Sequence, residues 1–171
     1  MPHPPSGLPP SGPLPDAAVQ TVGQAIQKLA AKRLGRAFVP LALLFLGGLG
    51  RMLATREGFI LAAGAPLSAG AMLAYGLRVV ARAFGKPSRP WMTLALAGGV
   101  VPPAYGLWVL GWEGLRTLAS GGGFRTVIAG LLLSLLGAWV LRAWVRILEL
   151  SRLAEVMALG ASDAGHEGGG S

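Results

Sequence analysis

The 171-residue chain contains four apolar stretches separated by short charged segments, and this pattern constrains its fold more than any other feature. Residues 58–77 and 91–112 carry no charge, and residues 126–141 lie between Arg125 and Arg142. A helix crosses a bilayer with about 20 apolar residues. The pattern therefore predicts an all-α integral membrane protein with four transmembrane helices, at about residues 36–55, 58–77, 91–112 and 124–141.

The first span is the shortest of the four apolar runs. Its uncharged run, residues 37–50, is shorter than the roughly 20 residues that a helix needs to cross a bilayer. The prediction therefore extends this span to about 36–55 by letting Arg36 and Arg51 reach the two membrane surfaces. We expect Pro40 in the first turn of this helix, where its missing N–H costs no hydrogen bond.

Composition and charge agree with a membrane protein. Only 13% of the residues are charged and the net charge is +8, whereas a soluble domain carries about a quarter charged residues. A nucleic-acid partner is not expected, because Lys and Arg lie between apolar runs and not on a solvated domain. Eleven of the 15 Lys and Arg fall on the side of the termini, which predicts both termini in the cytoplasm of a multi-pass protein. We expect the bacterial inner (plasma) membrane.

Both ends of the chain are predicted to lie outside the bilayer. The first 15 residues contain seven prolines and are typical of a disordered tail. Asp16 is a plausible N-cap for a basic amphipathic helix, and Gly160 is a plausible end for an amphipathic extension of span four. The predicted regions are a Pro-rich tail (1–15), an amphipathic helix (16–36), the membrane domain (37–141), a cytoplasmic extension (142–160) and a flexible tail (161–171).

Residues that could carry chemistry are scarce. The chain has no cysteine, and its two histidines, His3 and His166, lie near the ends. No metal site and no cofactor are therefore predicted. The spans hold no Asp, Glu, Lys or His at depth, and a serine nucleophile would need such a group as its base. We therefore expect that the protein is not an enzyme.

Two carboxylates lie at the predicted outer ends of spans. Glu57 follows Arg56, and Glu113 precedes Arg116 by three residues. We expect local, solvated ion pairs, because exposed pairs of this kind are common and weak. The alternative is an external vestibule for ions.

Prolines interrupt the second and third predicted spans. Within an α-helix, Pro102 and Pro103 would leave two glycine carbonyls without a donor, and Pro66 would do the same for Ala62. Because lipid cannot supply a donor, a side chain or a trapped water must. The breaks predict either a kink or a polar pocket like those of some transporters, formed by Ala62, Pro66, Ser68, Gly98, Gly99, Pro102, Pro103 and Tyr105.

Small residues four apart predict close helix packing in spans two and four. They are Gly64, Gly70, Ala74, Gly130, Ser134 and Ala138.

These patterns favour a non-catalytic membrane protein that serves as a scaffold, assembly factor or accessory subunit of a membrane complex. Its expected partners are the lipid bilayer and either other membrane proteins or further copies of itself. The alternative function is a small oligomeric transporter or pore for an apolar or cationic compound, with its site at the proline-broken middles of spans two and three.

Overall fold

The computed structural model describes residues 16–84 and 98–166, and every regular element in these two stretches is helical. The all-α class predicted from the sequence is confirmed. The Pro-rich tail, residues 91–97 of the third predicted span and residues 167–171 lie outside the described residues. The helices are α1 (Asp16–Thr55), α2 (Phe59–Ala83), α3 (Val101–Leu107), α4 (Arg116–Ala119) and α5 (Phe124–His166).

A third helical segment, Gly98–Ala119, lies between α2 and α5 and changes its winding along its length. It begins with a 3₁₀ turn, Gly98–Val100, continues as α3 and then as a π-helix, Trp108–Leu115, and ends with α4. Winding of the π type is rare beyond a single turn.

Three helices in the described part of the chain are long and apolar enough to cross a membrane. They are Gln20–Thr55, Phe59–Ala83 and Phe124–Met157. Each contains one of the predicted spans in full or nearly so. The third predicted span is described only from Gly98 onwards, so the four-span topology stays a prediction.

The predicted amphipathic helix and the first predicted span form one continuous helix, α1. The expectation that Pro40 begins a helix is wrong, because Pro40 lies inside α1, where it is fully buried. One missing N–H removes one backbone hydrogen bond, and the turns on either side together with tertiary packing hold this 40-residue helix through the gap.

Helix α5 is likewise continuous from the apolar run into the predicted extension. The expectation that Gly160 ends it is wrong, because the helix reaches His166. Glycine ends a helix when it adopts a left-handed conformation. In the described residues only Gly58 and Gly121 have a positive φ among the glycines, so Gly160 continues the helix.

Helices α1 and α2 form an antiparallel hairpin with a tight turn. Gly58 has φ of 96°, in the left-handed region that glycine adopts without strain, and its carbonyl accepts a hydrogen bond from the Ala62 N–H. One turn further, Gly48 faces the backbone of Ala62, and a Cβ at Gly48 would lie 2.6 Å from the Ala62 nitrogen. The two backbones therefore meet closely at this end.

The third helical segment and α5 form a second antiparallel hairpin. A Cβ at Gly114 would lie 3.0 Å from the Ser134 nitrogen, and a Cβ at Gly137 would lie 2.6 Å from the Leu110 nitrogen. Glycine at these positions lets the two backbones approach, which is how helices pack where apolar solvent gives no hydrophobic driving force.

One apolar core joins the two hairpins and extends from Ile26 in α1 to Ala154 in α5. It contains Leu44 and Leu61 near the turn of the first hairpin, and Met72 and Val109 with no exposed surface. It continues past the basic residues of α1 and α5 and includes Ile26, Ala30, Leu34, Val79, Ala83, Ile147, Leu150 and Ala154.

Candidate functional site

The two adjacent prolines lie at the start of an α-helix. Pro102 and Pro103 occupy the first turn of α3, directly after the 3₁₀ turn of Gly98–Val100. The N–H groups of a first turn have no acceptor within their own helix, so proline is tolerated there. The sequence predicted a break within a helix, and the structure has a change of winding followed by a helix start.

Tyr105 of the third segment packs directly against α2. Its hydroxyl donates a 2.6 Å hydrogen bond to the Leu61 carbonyl, and its ring packs against Gly64, where no Cβ would fit. Leu61 precedes Ala62, the residue whose carbonyl loses its helical donor at Pro66. Tyr105 thus contacts α2 at its proline break, one carbonyl away from the one that the sequence had indicated.

The remaining residues of the predicted pocket lie in different surroundings. Ser68 is fully buried, and its Oγ has no hydrogen-bond partner in the described part of the chain. Pro66 lies on the exposed side of α2, and Pro102 is fully buried. A Cβ at Gly99 would lie 3.5 Å from the Trp144 ring.

The predicted packing residues differ in how closely they meet another helix. Gly64, Gly130 and Ser134 meet another helix closely, whereas Gly70 has open space around it and Ala138 is exposed. Ala74 is half-buried. Gly137, which the sequence reasoning missed, holds the position expected of Ala138. The spacing of seven residues between Gly130 and Gly137 is the signal that would have identified it.

A cluster of charges joins three elements at the turn end of α1. Arg51 is 2.9 Å from the Glu113 carboxylate and 3.1 Å from the Glu57 carboxylate. The expected ion pairs Arg56–Glu57 and Arg116–Glu113 are therefore wrong. Arg51, in the last turn of α1, contacts both carboxylates instead. Arg116 lies over the Trp112 ring, with its Cζ 5.3 Å from the ring centroid. This cluster borders a groove of about 1010 Å³ that is also lined by Arg56 and Arg125.

A second groove, the basic groove, lies between α1 and α5. Its volume is about 710 Å³, and an apolar patch of Leu135, Ala138 and Trp139 forms part of its wall. Its cationic side chains are those of Lys32, Arg33, Arg36, Arg142 and Arg146.

Polar contacts hold α1, α2 and α5 together beyond the apolar run. Arg33 Nη1 donates a 2.6 Å hydrogen bond to the Arg146 carbonyl. Arg82 forms an ion pair with Glu155. Arg146 and Glu149 form an ion pair at 3.2 Å within α5.

Arg78 is a residue whose position the sequence reasoning missed. It is buried in the core of α2, and its Nε and Nη1 atoms have no hydrogen-bond partner in the described part of the chain. From the sequence, Arg78 was only one of the eleven basic residues whose distribution predicts cytoplasmic termini. In residues 20–84 and 99–157, no group of three or more His, Cys, Asp or Glu side chains that could hold a metal ion is present.

No protein-family model, curated protein or solved structure matches this chain.

Proposed function

We propose that the protein is a non-catalytic, four-span membrane protein with both termini in the cytoplasm, which serves as a scaffold or accessory subunit of a membrane complex. The observation that carries this proposal is the continuous core. It runs from Leu61 in the apolar part of the bundle to Ala154 in the charged part, so that the membrane bundle and the helices beyond it form one packed unit.

The basic residues support the proposed placement in the membrane. Arg36, Arg78 and Arg142 lie at a similar level, since Leu34 packs on Gly76 and Arg33 bonds to the carbonyl of Arg146. On one side of this level α1, α2 and α5 each contain about 20 helical residues, which corresponds to about 30 Å of helix.

The third segment supports a fourth span. It runs antiparallel to α5, and its Glu113 reaches Arg51 at the end of α1 that lies opposite the basic level. In the proposed placement α2 ends near the basic level and Glu113 lies at the opposite end, so the chain between them would cross the apolar layer once more.

The helices beyond the bilayer supply the surface for a partner. In this placement α1 and α5 extend past Arg36 and Arg142 on the same side, by about 30 Å and about 36 Å at 1.5 Å per residue. Contacts from α2 brace them, through Arg82 to Glu155 and through Phe84, which packs against Gly23. A rigid projection that is rooted in a membrane bundle suits the binding of another membrane protein.

The transporter alternative receives no comparable support. Its site requires open space beside Tyr105 and Gly99, and both positions are packed against neighbouring helices. The packing at Tyr105 and Gly99 is what we expect if the prolines serve to shape the helix bundle.

Purification of the tagged protein from its native membrane in a mild detergent tests the proposal. We expect a second membrane protein to co-purify in fixed stoichiometry. Val156→Glu, which places a charge on an exposed position of the projection, should weaken this association. Gly123→Glu is the matched control, since it adds the same charge in the exposed turn at the other end of α5.

Two results would contradict the scaffold role. One is recovery of the protein as a lone monomer under conditions that preserve known membrane complexes. The other is equal loss of the partner in the Val156 and Gly123 variants, which would show that the added charge acts without regard to the projection.

A further inference from the structure

We propose that the basic groove binds one anionic glycerophospholipid, with the lipid phosphate among its guanidinium groups and an acyl chain along its apolar patch. The inference rests on the proposed membrane placement and is independent of the scaffold role.

The charge of the groove is the first observation. Five cationic side chains line it, and no acidic side chain does. Glu149 lies beside it, 3.7 Å from Arg33 and 3.2 Å from Arg146. Lys32, Arg36 and Arg142 have no carboxylate partner in the described part of the chain. Gathering like charges in one groove is unfavourable unless an anion lies among them, and a phosphate oxygen accepts the paired donors of a guanidinium group.

The polarity of the groove along α5 is the second observation. Leu135 and Trp139, both exposed, lie on the side of the apolar run, and Arg142 and Arg146 follow towards the projection. The seven residues from Leu135 to Arg142 correspond to about 10 Å along the helix. A glycerophospholipid has the same order, a charged phosphate followed by acyl chains. A free phosphate would leave the apolar patch uncovered, so the lipid is the occupant that fits both parts.

The depth of the groove agrees with this occupant. Cationic pockets between membrane helices on the cytoplasmic side bind anionic headgroups, and tryptophan prefers the level where headgroups meet acyl chains. In the proposed placement Trp139 and Arg142 lie at this level.

The groove at the opposite end of the bundle provides an internal comparison. It contains the cations Arg51, Arg56, Arg116 and Arg125, but also Glu57 and Glu113. Both carboxylates pair with Arg51. That groove has two carboxylates among its lining residues, whereas the basic groove has none, and within the described residues Glu149 beside it pairs only with Arg33 and Arg146.

Native mass spectrometry of the full chain tests the proposal. The probes are phosphatidylglycerol and phosphatidylcholine with identical acyl chains, added to the delipidated protein in mild detergent. We expect the wild-type chain to bind one phosphatidylglycerol at least about tenfold more tightly than phosphatidylcholine, because each nearby cation contributes to anionic-lipid binding.

Arg36→Gln with Arg142→Gln should weaken phosphatidylglycerol binding by about 30-fold, since two of the unpaired cations are removed. Arg56→Gln with Arg125→Gln removes the same charge at the other end and should leave binding unchanged. Arg36→Lys with Arg142→Lys keeps the charge and should stay within a few-fold of wild type.

Equal binding of the two lipids by the wild-type chain would overturn the proposal, and this measurement needs no variant to fold. Equal losses in the two Gln double variants would also overturn it, since binding would then follow total charge. Displacement of phosphatidylglycerol by inorganic phosphate at low excess would assign the groove to free phosphate and reject a lipid site. If neither lipid binds but a membrane protein still co-purifies, the lipid site is rejected and the scaffold role is retained.

Discussion

The Tyr105 hydroxyl donates a 2.6 Å hydrogen bond to the backbone carbonyl of Leu61 and thereby joins the third helical segment to α2. Removal of the hydroxyl in Tyr105→Phe should lower the free energy of unfolding by about 0.5–1.5 kcal/mol, the usual contribution of a buried hydrogen bond. Unfolding in mixed detergent–SDS micelles, followed by circular dichroism, measures this change. Tyr75→Phe is the control, because Tyr75 is similarly buried and its ring contacts Trp144 edge-on, with the two centroids 5.0 Å apart. An equal loss in both variants would show that the Tyr105 hydrogen bond has no special weight.

The contact of Gly137 with the third segment predicts a second change in stability. A Cβ there would lie 2.6 Å from the Leu110 nitrogen and 2.9 Å from the Gly106 carbonyl oxygen, so that backbone must move. Gly137→Ala should destabilise the bundle by about 1–3 kcal/mol, as overpacking does. Gly70→Ala meets nothing within 4 Å and should be neutral or stabilising by up to about 1 kcal/mol. The same unfolding assay compares them, and a neutral Gly137→Ala would contradict the close approach of the two helices.

The two carboxylates that contact Arg51 should differ in their effect on stability. The Glu113 side chain is 16% exposed and that of Glu57 is 71% exposed. Glu113→Gln should cost about 1–3 kcal/mol, because it weakens a charge-assisted hydrogen bond in a partly buried position. Glu57→Gln should cost less than about 1 kcal/mol, as exposed ion pairs do. Unfolding measured at low and at high salt distinguishes the two carboxylates. Salt screens the exposed Arg51–Glu57 pair strongly and the partly buried Arg51–Glu113 pair much less, so the cost of Glu57→Gln should fall at high salt and that of Glu113→Gln should persist. Equal costs would argue against the Arg51–Glu113 contact.

The absence of cysteine from the sequence allows a direct test of topology with single introduced cysteines. Gln27→Cys lies on the exposed side of α1 near the proposed cytoplasmic end, and Ser120→Cys lies in the turn before α5. A membrane-impermeant maleimide applied to intact cells should label Ser120→Cys and should label Gln27→Cys only after permeabilisation. The reverse pattern would invert the proposed orientation, and labelling of both in intact cells would reject four spans.

The long apolar helices were predictable from the sequence because each needs only a run of uncharged residues, and α2 and α5 begin within one residue of the predicted starts of their spans. The continuity of α1 through Pro40 was not predictable, because the flanking turns and the buried contacts of Pro40 decide it. Whether a glycine such as Gly160 ends a helix depends on its φ, which the composition does not determine.

The candidate sites were predictable only where the chemistry is local. Tyr105 was identified because it follows the two prolines, but its acceptor was not, since Leu61 lies 44 residues away in sequence. The partners of Arg51 and the gathering of Lys32, Arg36 and Arg142 in one groove depend on how helices pack. No spacing along a single helix encodes such contacts between helices.

Helix α5 has no proline and continues without interruption from Phe124 to His166. In the proposed placement it has no joint at which its aqueous end could pivot independently of its lipid-facing part. The portion beyond Arg142 is about 36 Å long, so a 10° tilt of the membrane part, within the range that bilayer thickness imposes, would move the far end by about 6 Å. In that placement, any tilt of the membrane part of α5 would be carried undiminished to its far end.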